Sequence, residues 1–183
     1  MKTAHYLAIA IVALLFGCSK ENTPESEFMM LKNAKLPIPM QFDFSAIPDI
    51  SVPFTACVPV EGKVTLPGKQ WLNGTTSYFG EIDQIKSYVL NANCELIDSK
   101  TIKESFEGKI TTASGDDFKF TGWIQIDISK AISNLSAPVV GEISVNGGTG
   151  IFAGVSGSVT ISGTADYSNG TVDWTGTGSL IYN

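Results

Sequence analysis

The chain has 183 residues and a formal net charge of −6, and all 12 of its basic residues are Lys. An acidic chain without Arg lacks the long-range attraction and the bidentate guanidinium forks that read phosphates and bases, so no nucleic-acid partner is expected. The one histidine is His5, inside a segment expected to be removed, and without imidazole the mature chain has no Ser-His-Asp or Cys-His hydrolase machinery, no His-held haem and no common zinc site.

Residues 1–17 read as a signal peptide: Lys2 supplies the positive start, Leu7 to Phe16 an unbroken apolar run, and Gly17 a small residue before a cleavage point. Ten apolar residues rise about 15 Å as a helix, roughly half of the ~30 Å hydrocarbon core, too short for a permanent span. Leu15-Phe16-Gly17-Cys18 resembles the bacterial lipobox. That resemblance implies a diacylglycerol on the Cys18 thiol and acylation of its amine, with several chains giving stable anchoring where one is marginal. Ser19 after the cysteine favours the outer membrane, and Ser19-Lys20-Glu21 is similar to the short surface-export signals of Bacteroidetes lipoproteins, so the periplasmic face and the cell surface both stay open.

Residues 18–40, polar around Glu21 to Glu27 and punctuated by Pro37 and Pro39, read as a lipidated N-terminus and flexible tether, leaving 41–183 as one domain. Ser51 to Val58 is the expected first strand. Cys57 and Cys94 are a candidate disulfide in an oxidising compartment, closing a loop that contributes roughly 4 kcal/mol on a chain-entropy model; two separately buried thiols are the alternative. Ser87 to Leu90, Thr101 to Thr111, Asp117 to Ser129 and Gly141 to Val145 read as further strands, with a hairpin turn at Ser114 to Asp117. Residues 130–138 hold one helical turn at most.

The clearest periodicity is C-terminal. Val155, Val159, Ile161, Ala165 and Tyr167 alternate with Ser156, Ser158, Thr160, Ser162, Thr164 and Asp166, a period of two with one buried face. After an Asn169-Gly170 turn, Val172, Trp174, Leu180 and Tyr182 share a face with Gly176 and Gly178. Glycines recurring on an apolar face indicate strongly coiled strands, as barrel closure requires. The expected fold is all-β, a single antiparallel barrel of about eight strands.

Within this region Gly147-Gly148-Thr149-Gly150-Ile151-Phe152-Ala153-Gly154-Val155-Ser156-Gly157-Ser158 resembles the GGTGRFAGATGS stretch of bacterial secreted proteins related to the allene oxide cyclase and dirigent barrels. Ser77-Tyr78-Phe79-Gly80 sits where that family often has Ser-His-Leu-Gly, and Ala113-Ser114-Gly115-Asp116 resembles its Ala-Asn-Gly-Asp turn. Ile151 stands in place of the usual Arg and Tyr78 in place of the usual His. The resemblance covers residues 70–183 and implies a closed barrel, with Gly147, Gly148, Gly150, Phe152, Gly154 and Gly157 as structural positions.

No catalytic residue, cofactor or metal site is expected. The carboxylate clusters Asp116-Asp117, Glu81/Asp83 and Asp166/Asp173 read most simply as solvated turns, without the ligand spacing of a calcium loop. Trp71, Tyr78, Phe79, Trp123 and Trp174 are the candidate ligand-lining residues, their other reading being ordinary packing. Trp123 is out of phase with Phe118, Phe120, Ile124 and Ile126, so one of those sets faces away from the core. The expectation is a non-catalytic binding or interaction module, lipid-anchored at the outer membrane, whose barrel takes a small apolar or amphipathic ligand. A cavity-steered isomerase or cyclase, or a purely structural envelope protein, are the alternatives.

Overall fold

The computed structural model describes residues 23–57 and 64–183. The signal peptide, Cys18 and the export signal lie outside the described residues. Eight strands form a closed antiparallel ring: β1 (Ile38–Pro48), β4 (Lys69–Thr76), β6 (Tyr88–Leu96), β7 (Thr101–Thr111), β8 (Asp117–Asp127), β9 (Ser136–Gly148), β10 (Val155–Asp166) and β11 (Thr171–Tyr182). Their order around the wall is β1-β11-β10-β9-β8-β7-β6-β4, and β1 pairs back with β4 to close it. The strands β2 (Phe54–Ala56) and β3 (Thr65–Pro67) pair separately, and β5 (Gly80–Glu81) adds to β4.

The barrel follows from strict alternation. On β10, Val155, Val159, Ile161 and Ala165 are buried inside, while Ser158, Thr160 and Ser162 face solvent. Glycine on the inner face makes room for rings from the neighbouring strand. Gly176 of β11 pairs with Phe42 of β1, and a Cβ there would stand 2.2 Å from the Phe42 ring. The pair fills one volume with one large and one absent side chain, so curvature costs no void.

One end of the barrel is closed by helix α1 (Pro24–Asn33). Its Phe28 is fully buried and meets the rings of Tyr78, Phe79, Phe152 and Tyr182 at centroid distances of 5.7, 4.8, 5.9 and 6.1 Å. Phe152 comes from the 3-10 turn Gly150–Phe152 between β9 and β10, inside the glycine-rich motif. Gly150 has φ +54, and a Cβ there would collide with the Asp116 carboxylate. The Ile151 carbonyl accepts from Lys32 Nζ at 2.6 Å and from the Tyr182 hydroxyl at 2.7 Å. The motif thus links helix, turn and last strand.

Several expected boundaries move. The tether expected over 18–40 is structured from Thr23 onward. Thr23 caps the helix by accepting from Ser26 N–H, Pro24 stands in the first turn where no N–H is needed, and acidic Glu25 and Glu27 sit at the positive end. β1 runs through Pro39 because that residue is exposed and pairs only with β11; β4 joins β1 from Phe42 onward. The expected first strand at Ser51 to Val58 shrinks to Phe54–Ala56, with Val58 outside the described residues. β6 and β9 are longer than expected, β8 ends at Asp127, and residues 128–134 form a seven-residue helix, α2, capped by the Asp127 carboxylate.

Candidate functional site

The end opposite α1 is built differently. On β7 the inward series is Ile102, Glu104, Phe106 and Ile110, so strand alternation alone carries a carboxyl into the barrel. Glu104 is 5 % exposed, and burial, with no compensating charge or hydrogen bond among the described residues, pushes its carboxyl up to about 8. Trp174 of β11, also 5 % exposed, packs edge-on against Phe42, Phe44 and Phe106. Among the described residues its Nε1 is buried without a partner, as is the hydroxyl of Tyr167 at the end of β10. Burial and then the nearby Glu104 carboxylate both raise the Tyr167 phenol, so the two groups sit within electrostatic reach.

These groups line one chamber of about 40 Å³, walled mainly by apolar side chains such as Val89, Ile124, Ile126 and Val172, with Gln70, Asn91 and Asp166 also on its lining. By the volume a water centre needs, that is room for about three waters. Outside it lies a vestibule of about 350 Å³ between Phe54, Ile132, Leu135 and the Ser168–Gly170 turn, sharing Thr65, Tyr167 and Gly170 with the chamber. Leu66 and Pro67 of β3 form part of the chamber wall. Gln70 Nε2 donates to the Gly170 carbonyl at 3.0 Å and Asn91 Nδ2 to the Pro67 carbonyl at 2.5 Å, fixing the rim. A Cys57–Cys94 disulfide, with Cα atoms 5.7 Å apart, ties the β2–β3 hairpin to β6.

Of the five aromatics expected to line a site, only Trp174 reaches this chamber. Tyr78 and Phe79 belong to the plug at the closed end. Trp71 lies on the outer face of β4 with Lys69 Nζ 3.4 Å from its ring centroid, and Trp123 on the outer face of β8 with Lys103 Nζ 5.4 Å away. The aromatic set is therefore spread over three places. The motif glycines and Phe152 stand at the closed end, away from the chamber.

The sequence-adjacent carboxylates are held by neighbours on turns and across strands. Asp166 accepts from Ser168 N–H and hydroxyl and lies below the ordinary carboxylate range for that reason. Asp173 accepts from Ser45, Asp83 pairs with Lys86 at 2.6 Å, and Asp117 pairs with Lys109 at 3.8 Å. Among the described residues no group of three His, Cys, Asp or Glu is arranged to hold a metal ion. Glu104 is the residue that sequence reasoning passed over, although its parity with Ile102 and Phe106 was there to see. No known protein family, curated protein or solved structure matches this chain.

Proposed function

We propose that the protein is a non-catalytic binding module that holds a small apolar or amphipathic ligand in the mouth-side chamber, anchored at the outer membrane by lipid on Cys18. The observation that carries the ligand reading is the Glu104–Tyr167–Trp174 group. Buried polar side chains are nearly always hydrogen-bonded, so two donors with no partner among the described residues, on the lining of one largely apolar chamber, support a reading in which a ligand's acceptor is held there. The resemblance of residues 147–158 to the allene oxide cyclase and dirigent barrels supports the same reading.

Native mass spectrometry of protein purified from its host should find a bound small molecule. Adding that molecule at about a hundred times its Kd should raise stability by roughly 2.7 kcal/mol. Uniformly empty protein that also ignores a panel of lipids and phenolics sinks the proposal. A cavity-steered isomerase is the second reading, favoured by one feature: a carboxylic acid that stays neutral near pH 7 beside a phenol in a largely apolar chamber is suited to donate a proton.

For the anchor, Cys18→Ala should leave export intact and abolish membrane retention, because the charged start and apolar core are unchanged. Among the described residues no helix is long and apolar enough to cross a membrane. Wild type should enter the detergent phase and the variant the aqueous phase; a variant that stays with membranes after a high-salt wash refutes lipidation as the anchor. With Cys18 as the anchor, the bilayer would lie on the α1 side of the barrel and the chamber mouth on the other.

A further inference from the structure

We propose that the chamber selects a carbonyl oxygen, carried by a ketone or by a carboxylic acid, which accepts hydrogen bonds from Trp174 Nε1–H and the Tyr167 hydroxyl while Glu104 contributes a third contact. The inference rests on the ligand reading above and specifies its chemistry. An indole nitrogen can only donate, so the partner Trp174 lacks must be an acceptor. The Tyr167 hydroxyl is equally without a partner among the described residues, and Tyr167 lines the same space. An acceptor oxygen that reached both would satisfy them, and at neutral pH the protonated Glu104 on the same lining would supply a further donor.

Two other ligand chemistries fit worse. An ammonium group would pair with an ionised Glu104 but would set positive charge against the indole N–H and leave that donor orphaned. A hydrocarbon would seal off the polar groups with no acceptor to replace the water they lose. The chamber's ~40 Å³ suits a head group of a few atoms, and the larger vestibule beside Phe54, Ile132 and Leu135 suits an alicyclic or alkyl body.

The test is a matched set on the intact mature protein: cyclohexanone, cyclohexanecarboxylate, cyclohexylamine and cyclohexane, read through the indole N–H resonances of the three tryptophans. Cyclohexanone or the carboxylate should move the Trp174 resonance downfield and leave those of Trp71 and Trp123, on the outer wall, in place. Tyr167→Phe, which removes one donor and little volume, should weaken that binding roughly fivefold to tenfold. The sources separate with pH: Asp166, on the same lining and held below the ordinary carboxylate range by Ser168, and the raised Tyr167 phenol do not change charge near pH 8, so carboxylate binding should collapse as pH rises past about 8, where Glu104 ionises, and ketone binding should fall much less. Tighter binding of the amine or the hydrocarbon, or no Trp174 shift with either carbonyl probe, overturns the carbonyl assignment. The ligand reading itself is judged separately, by whether host-purified protein carries a bound molecule.

Discussion

Replacing Glu104 by Gln is expected to leave stability nearly unchanged at acidic pH and to raise it steeply at alkaline pH, removing most of the wild type's pH dependence between about 4.5 and about 8. In the unfolded chain a glutamate releases its proton near 4.5, while in the barrel Glu104 keeps it until about 8. Between those values the native state binds the extra proton, so native stability falls as pH rises; the favourable contribution is complete below the lower value and lost on passing the upper one. A displacement of this size corresponds to roughly 4 to 5 kcal/mol, an upper figure because water entering the chamber would soften it. For a domain of this length that is about 10 °C or more in Tm at pH 9, measured by thermal melts of both proteins across the range. Gln has nearly the same volume as the protonated acid and cannot ionise, so packing is held constant. Parallel stability curves for wild type and variant would show that Glu104 is solvated and ionised at neutral pH. That result would also withdraw it as the third donor of the chamber.

The same residue shows where sequence was sufficient and where it was not. On β7, β10 and β11 the period-two pattern locates the strands to within a residue, because each has one face that must be buried and one that must be wet. That pattern also carries Glu104: in Ile102-Lys103-Glu104-Ser105-Phe106 the glutamate shares parity with the apolar residues, and a lone charge in that phase signals a cavity. Pairing carboxylates by nearness in sequence overlooks it, since nearness selects residues that flank turns: Asp166 ends β10 and Asp173 lies near the start of β11, on either side of the Ser168–Gly170 turn. Trp71 fails for a related reason. In Gln70-Trp71-Leu72 the large aromatic looks like the inward residue, but Leu72 and Gln70 both turn inward, with Gln70 held by the Gly170 carbonyl, and parity then sends Trp71 outside. Trp123, by contrast, faces out as its register against Phe120 and Ile124 requires. The vestibule and the disulfide-tied hairpin depend on contacts between segments far apart in the chain, which periodicity does not encode.

The N-terminal segment gives the sharpest contrast between a composition reading and a packing reading. Phe28→Ala should destabilise the domain by about 3 to 5 kcal/mol, in the range for emptying a buried aromatic site. It should also release α1, so that limited proteolysis cuts between residues 24 and 36, a stretch protected in the wild type. Phe28 is the helix's one buried residue, and it stands among four other aromatic rings. A ten-residue helix is not stable alone in water, and its Thr23 cap contributes only about 1 kcal/mol, so the tertiary contact decides whether the helix exists. Met30→Ala on the same helix, at a side chain 63 % exposed, should change neither stability nor the cleavage pattern. If residues 18–40 behaved as a tether, both substitutions would be silent. Because the plug and the chamber occupy opposite ends of the barrel, Phe28→Ala in still-folded protein should leave ligand binding at Trp174 intact, whereas Tyr167→Phe should weaken binding and leave the N-terminal segment resistant to protease.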